Sequence, residues 1–479
     1  MKLYQFGMTS LFFLYAMPLQ ANPTILQNPS QNSTMVLSQA VNTVVDRVDW
    51  ANLPAPLETI SINPLQQETT IEQTNEDIIT HLMVNHQWDK LAKVLMAYQE
   101  IADHDPVLYD YAMGAMLRAQ AKHNQAIKHY EKITQDPSLI FPKFDLAVMY
   151  FENKQYKDAK TTFEAIKPSL PTPMQALSEQ YLAAIKKIEQ PKPNFGLNIE
   201  QNDNVNNASS LREFDIGGMT FVFNDESLPK SATGLRYDIG ISREHNVSGR
   251  HHLYSSIGAN GVYYPSQRDY DEFALRGELG YRYKTIKSSF GITPFAVQDW
   301  LGGDQYQYQW GVGVGATHRM SANWQITISA NHSQKNYNDH DISKRYDGYA
   351  NDGVVMALYQ PTDRWLYYTG LEARHERLAD SSESSNRQGL RLGMGYYGKD
   401  VGVRAMLRHT KREFLAPNFW YGEVRHDTET QFIGTLWYNK LNYKGFVPQI
   451  NYRRQYTDSN LALYDRDNQA WFLTIEKMF

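Results

Sequence analysis

Phe273-Ala274-Leu275-Arg276-Gly277-Glu278-Leu279-Gly280-Tyr281-Arg282-Tyr283 alternates residue by residue. Phe273, Leu275, Gly277, Leu279, Tyr281 and Tyr283 share one face of an extended chain, and Ala274, Arg276, Glu278, Gly280 and Arg282 share the other, because successive side chains of a strand point to opposite sides. The same division returns downstream. Leu390, Leu392, Met394 and Tyr396 oppose Arg391, Gly393, Gly395 and Tyr397, and Val401, Val403, Ala405 and Leu407 oppose Gly402, Arg404, Met406 and Arg408. A soluble sandwich can carry one apolar face, but it does not usually bring so many strands of ten or more residues with no helix between them. Apolar side chains outside and charged ones inside are the pattern of a barrel spanning a lipid bilayer. Arg276, Glu278, Arg282, Arg404 and Arg408 are then expected on the lumen side, where a solvated or mutually paired wall is their ordinary role.

Working back from the last residue, strands fall near 469–479, 442–453, 427–439, 400–410, 387–397, 365–375, 347–360, 323–335, 305–319, 288–299, 270–283, 251–263, 232–243 and 195–203, which makes fourteen. Connections at 397–400, 360–364 and 439–442 are short, whereas 410–427 and 453–468 read as long polar loops. Short turns on the periplasmic side and long loops outside are the rule for such barrels. An even count returns both ends of the barrel to the periplasm. Residues 214–223 also read as a strand, and parity places them in the first external loop as a hairpin arm. In the last segment Trp471, Leu473, Ile475 and Phe479 share a face. Ending on the Phe of an alternating strand resembles bacterial outer-membrane barrels, whose assembly machinery reads such an end; Lys477 departs from the usual apolar residue. Tyr and Trp near strand ends suit interfacial girdles.

Composition agrees with export. Met1-Lys2 is a short basic start, 11–17 an apolar run, and Leu19-Gln20-Ala21 offers a small residue before a cut at Asn22. No other stretch approaches the roughly 18 apolar residues of a spanning helix. The chain of 479 residues has no cysteine, so a lipid-bearing Cys and disulfides are both excluded. Its net charge of −5 argues against a dedicated nucleic-acid partner. The 32 tyrosines and 29 glycines fit a barrel, in which only alternate residues meet lipid. Residues 1–21 are read as a signal peptide. Residues 22–73, rich in Asn, Gln, Ser, Thr and Pro, are read as a flexible leader in which 36–48 has amphipathic helical spacing.

Residues 74–190 change to helical periodicity. Gly114, Ala126, Tyr130 and Pro137 recur as Ala147, Ala159, Phe163 and Pro171, at offsets of 33, 33, 33 and 34 residues, and Ala92 and Met96 form a degenerate earlier copy. This resembles the tetratricopeptide repeat, a helix pair of about 34 residues. The eight named positions are packing positions. Stacked pairs leave a groove that usually holds a peptide or protein, for which Tyr109, Tyr111 and Tyr150 are candidate lining residues. Residues 174–189 read as a closing helix, Pro191-Lys192-Pro193 stops the helices, and 191–479 forms the barrel. The expected fold is thus an all-α tetratricopeptide-like periplasmic domain followed by a 14-stranded antiparallel transmembrane β-barrel.

That architecture resembles the surface lipoprotein assembly modulator (Slam) family. The sharpest local match is 201–209, where Asp203, Asn204, Val205, Asn206 and Asn207 resemble an Asn-rich segment of that family, with one Asn fewer after Asp203. The resemblance implies an outer-membrane translocon moving client surface lipoproteins, or a secreted haem-binding protein, to the cell surface. It further implies outer-membrane lipid, the barrel-assembly machinery and periplasmic chaperones as partners, and no cofactor. The alternative is an exopolysaccharide exporter, since those also join such repeats to a barrel, generally with many more of them. An enzyme is not expected: there is no phosphate loop and no His-Glu-x-x-His. Asn338-Asp339-His340-Asp341 is a lone Asp-His pair in a loop. Asn202, Asn204 and Asn206 around Asp203 lack the further carboxylates a tight Ca²⁺ site wants.

Overall fold

The computed structural model describes residues 74–477 except 210, 217–218, 223 and 444–445. The proposed signal peptide, the leader and Phe479 therefore lie outside the described residues.

Among the described residues seven helices precede the strands: α1 (Asn75–Val84), α2 (Trp88–Gln99), α3 (Pro106–Ala119), α4 (His123–Ile133), α5 (Ile140–Glu152), α6 (Tyr156–Ile166) and α7 (Thr172–Glu189). Local chemistry starts several of them. Thr74 and Asp77 form a reciprocal capping box on α1, and the Asp105 carboxylate accepts from the amides of Val107 and Leu108 ahead of Pro106, the first residue of α3. Each of the three helix pairs turns on one left-handed residue: His86 (φ 54°), Ala121 (φ 56°) and Lys154 (φ 67°). The same backbone device thus closes α1–α2, α3–α4 and α5–α6, and α7 covers the last pair.

Sixteen strands follow among the described residues. β1 (Lys192–Asn202) leads to a separate small hairpin, β2 (Glu213–Ile216) and β3 (Met219–Val222). Then come β4 (Ala232–Ser248), β5 (His251–Tyr263), β6 (Glu272–Lys284), β7 (Ser288–Leu301), β8 (Asp304–Arg319), β9 (Trp324–Tyr337), β10 (Gly348–Thr362), β11 (Trp365–Leu378), β12 (Ser385–Tyr397), β13 (Val401–Pro417), β14 (Val424–Tyr438), β15 (Phe446–Ser459) and β16 (Arg466–Lys477). All but β2 and β3 form one closed barrel of fourteen strands, each paired antiparallel with its neighbours and closed by β1 against β16. The segment read as one strand over 214–223 instead carries both arms of this hairpin, β2 and β3, which pair with each other outside the barrel.

Two expected loops are shorter than their polarity suggests. β13 runs on to Pro417 and β14 begins at Val424, so most of 410–427 is ladder; β15 likewise reaches Ser459 and β16 begins at Arg466. Beyond the lipid the outward face needs no apolar residues. Arg454, for example, points outward and pairs with Asp467 at 2.6 Å. One external connection is tight: Gly302 and Gly303, at φ 59° and 101°, form the turn between β7 and β8, a conformation that favours glycine at both places.

Outward residues form the apolar band, including Leu275, Leu279, Leu371, Leu392 and Leu407. Aromatic pairs sit towards its edges, such as Trp324 stacked on Tyr359 (4.5 Å) and Trp365 against Tyr396 (4.7 Å). No helix of the described residues is long and apolar enough to cross a membrane; the strands make the crossing.

Candidate functional site

In the helical domain the spacing signature becomes contact. A Cβ on Gly114 would sit 2.5 Å from the Tyr130 ring, so α3 can approach α4 only with a hydrogen there. Ala126, Ala147, Ala159 and Phe163 are fully buried. Phe163 stacks on Tyr181 (5.0 Å, 12°) and meets Phe144 edge-on, which ties α6 to α7 and α5. Pro137 lies exposed between α4 and α5, and Pro171 is the residue on which α7 starts.

Polar rungs join equivalent positions of successive repeats. The Tyr111 hydroxyl donates to Asp145 (3.1 Å), and Arg118 donates to Glu152 through Nε (2.9 Å) and Nη2 (2.7 Å); both pairs are 34 residues apart. His123 Nε2 also meets Glu152, at 2.7 Å. Burial pushes the Glu152 carboxyl upward, but its hydrogen bonds to His123 and Arg118 and their charges outweigh that and hold it at about 2. Asp145 moves the other way: its burial dominates the opposing Arg118 charge and raises it. The tyrosines considered for the groove are all engaged and half-buried. Tyr109 donates to Gln99 (2.9 Å) and Tyr150 to Glu131 (2.7 Å).

The helical domain is bolted to the barrel mouth at the β4–β5 turn. Asn246, fully buried, accepts from the Lys157 amide (2.8 Å) and donates to the carbonyls of Gly249 (2.9 Å) and His251 (3.0 Å). Its own amide donates to the Glu189 carboxylate (2.8 Å). His252 Nε2 lies 2.9 Å from the Lys154 carbonyl, and its ring meets Tyr156 edge-on. Arg243 donates to the Glu189 carbonyl (3.1 Å). The tip of the last repeat pair and the end of α7 therefore grip the same hairpin. His252 carries in the sequence only the bland signal of a His pair at a strand start. Asn246 carried no local signal at all.

The Asn-rich segment is a clasp on the external end of the seam. Asp203 exchanges two bonds with Gln469, its amide to the carbonyl (3.2 Å) and its carboxylate from the amide (2.8 Å). Asn468 donates to the Asn204 carbonyl (3.0 Å). Asn204 folds the segment on itself, accepting from the Ala208 amide and donating to its carbonyl, both at 2.9 Å. Asn206 donates to the Leu228 carbonyl (2.9 Å) and accepts from the Lys230 amide (2.8 Å), so the loop leading into β4 is held as well. Val205 is buried against Val262, Tyr264 and Tyr270, and Asn207 takes φ 46°. These amides make turns and sutures of the kind Asn favours.

Inside the barrel, charges close on one another. Glu376, fully buried, receives Lys335 (2.6 Å), Arg374 (2.8 Å) and Arg412 (3.2 Å), and Arg374 also holds Asp352 (2.8 Å). Glu372 receives Arg391 (3.0 Å) and Arg408 (2.7 Å). Arg276 pairs with Glu278 (2.6 Å), Arg282 with Glu244 (2.7 Å), and Arg404 donates to Gln449 (2.8 Å). The five lumen candidates thus all lie on inward faces, in three separate groups plus the Arg404–Gln449 pair. Lys335 and Glu376 keep 1% or less of their side-chain surface exposed, so neighbouring side chains of the wall cover this pair. Asp339 is occupied as the N-cap of a short helix, α8 (His340–Tyr346). Among the described residues no group of three or more His, Asp or Glu is arranged to hold a metal.

Comparison with known proteins places this arrangement. The family "Surface lipoprotein assembly modifier" matches residues 192–479, and "Surface lipoprotein assembly modifier, N-terminal TPR repeats" matches 60–163. A surface lipoprotein assembly modifier of Pasteurella multocida is 26% identical, over 90% of this chain and 89% of its own length. The surface lipoprotein assembly modifier 1 of Neisseria meningitidis is 25% identical, over 81% and 79%. A hemophilin secretion modulator of Acinetobacter baumannii is 24% identical, over 85% and 87%. A helical repeat domain, a fourteen-strand barrel and both family matches lead to one conclusion: the chain belongs to the surface lipoprotein assembly modifier family of outer-membrane proteins.

Proposed function

We propose that the chain is an outer-membrane translocon that carries client surface lipoproteins, or a secreted haem-binding protein, from the periplasm to the cell surface. The observation that carries the reading is the joint at Asn246 and His252, which fastens a protein-binding type of helical stack to the periplasmic mouth of the barrel. A passive pore has no use for such an attachment, and the relatives' names favour protein clients over polysaccharide. The repeat groove would hold the client beside the barrel. Periplasmic chaperones would deliver it, and the barrel-assembly machinery would read the final strand through Trp471, Leu473, Ile475 and Phe479. No step calls for a cofactor.

The test is protease shaving of a co-expressed lipoprotein on intact cells, with and without this protein. Shaving only in its presence is the expected result. Unchanged exposure while both proteins are made and folded would overturn the reading for that client, and surface glycan would be assayed next.

A further inference from the structure

The seam between β1 and β16 is unlike every other pairing in the barrel. It holds five registered pairs, Asn198↔Thr474 to Asn202↔Ala470, whereas β1 pairs with β4 along its whole length, down to Lys192↔Ser242. On the other side β16 stays paired with β15 down to Phe446↔Lys477. Continuing the seam's register would set Ile475, Glu476 and Lys477 opposite Leu197, Gly196 and Phe195. Those residues are strand on both sides, yet among the described residues they do not pair with each other. The two strands diverge towards the periplasm.

Three further observations bear on this divergence. Pro193 in β1 and Pro448 opposite Ile475 bring no N–H to that end, a residue choice confined in sheets to edges and irregular places. The external end is the opposite case, sutured by Asp203 to Gln469 and by Asn204 to Asn468. The unpaired stretch also lies at the depth of the apolar band. Phe195 and Leu197 face outward, and Phe195 is registered with outward-facing Ile239. Backbone groups left open at that depth have little water to satisfy them, and an open strand edge is a template for another strand.

We propose that the periplasmic half of β1 is a receiving edge, on which an extended stretch of the client polypeptide pairs through its backbone as the seam splays from the periplasmic side. The proposal rests on the translocon reading. Its occupant is the client because of what surrounds the edge. Glu189, which ends α7, lies three residues before β1 and holds Arg243 and Asn246 of β4, so the helical domain is fastened beside this edge. Strand addition is main-chain recognition and tolerates many sequences, which suits a device that must handle a whole chain. The bore wall offers no such edge at the level of Glu376 and Glu372, where its strands are fully laddered and its charges pair with one another. The Asn clasp then acts as the hinge that keeps the external end registered.

The chain has no cysteine, so an engineered pair is unambiguous. Directly opposed antiparallel residues have Cα atoms about 4.5–5.5 Å apart, within reach of a disulfide. Asn198→Cys with Thr474→Cys staples the last seam pair, and Ser333→Cys with Ala350→Cys staples an inward pair far from the seam. The full-length variants are placed in cells with the lipoprotein of the shaving assay. The expected result is parental display when the seam staple is reduced, display at the level of cells lacking the protein when it is oxidised, recovery on adding reductant, and no effect of the distant staple. A photo-crosslinking residue at Leu197, but not at outward-facing Leu371, is expected to capture the client.

Undiminished display with the oxidised seam staple overturns the receiving edge while leaving translocation standing. So does a Leu197 adduct that contains only a second copy of this chain. If the seam-staple variant does not assemble, as judged by heat-modifiable mobility on gels, capture of the client at Leu197 decides: an adduct supports the edge and its absence overturns it. A client that stays hidden even with the parental protein counts against the translocon reading instead.

Discussion

In the helical domain Phe163, Ala147 and Leu95 fill a dry interior while Lys160 and Glu164 stand in water; in the barrel Glu376, Lys335 and Arg412 line the interior while Leu279 and Leu371 face outward. The two regions sort the same amino acids in opposite directions because their solvents differ. The helices are held by apolar surface removed from water. The barrel is held by closed backbone ladders in lipid, where its outward leucines gain little from one another, and its interior is specified by paired charge. Hence a core lesson from one region inverts in the other: deleting carbon hurts the helices, and deleting charge hurts the barrel.

The largest effects should come from breaking each rule in its own region. Glu376→Ala leaves Lys335, Arg374 and Arg412 facing one another without their shared carboxylate. Removing one member of a buried ion-pair cluster costs about 3–5 kcal/mol, so the barrel's denaturation midpoint in urea, followed by heat-modifiable mobility, should fall sharply while the helical signal at 222 nm persists. Phe163→Ala empties the contact with Tyr181 and Phe144 at a similar cost of about 3–5 kcal/mol. It should erode the helical signal of the full chain and leave the barrel's mobility unchanged. If either substitution unfolded both regions together, their independence would be refuted.

Legibility in the sequence follows the same division. The fourteen strands and the helical repeat were readable because each alternation or 33–34-residue offset reports a solvent boundary. The extent of β13 and β15 was not, because above the lipid an outward Arg454 is as welcome as a leucine and the alternation fades while the ladder continues. The Asn segment was visible as a family-like string. Its work was hidden, since its partners Leu228, Lys230, Asn468 and Gln469 come from distant strands. The joint at Asn246 and His252 was invisible for the same reason: it exists only where two domains meet.

A medium-sized effect should expose a place where the helical domain borrows the barrel's device. Glu152 is a half-enclosed carboxylate held at about 2 by Arg118 and His123 against its own burial, well below the ordinary value of about 4.3. A carboxyl lowered on folding contributes stability that is complete above the unfolded value and is lost as pH falls towards the folded one. The helical signal should therefore weaken between about pH 4.3 and 2. Glu152→Gln should lower stability at neutral pH and flatten that acid slope. An unchanged slope in the variant would mean that other carboxylates, not this rung, carry the acid response.

The smallest effect concerns backbone alone. Ala121 turns α3 into α4 at φ 56°, where an L-residue with a Cβ is strained by about 1–2 kcal/mol. Ala121→Gly removes that strain but loosens the unfolded chain by about 0.4–1 kcal/mol. The helical domain should gain a fraction of a kilocalorie to about 1 kcal/mol, seen as a small rise in its thermal midpoint with no change in the barrel. His86 and Lys154 occupy the matching turns, but Lys154 also offers its carbonyl to His252. Lys154→Gly should stabilise less than Ala121→Gly if the joint to the barrel depends on a rigid turn, because freedom gained there is taken from the contact that fastens the two regions. Equal gains at both positions would show that the joint is held by Asn246 and Glu189 without help from that turn.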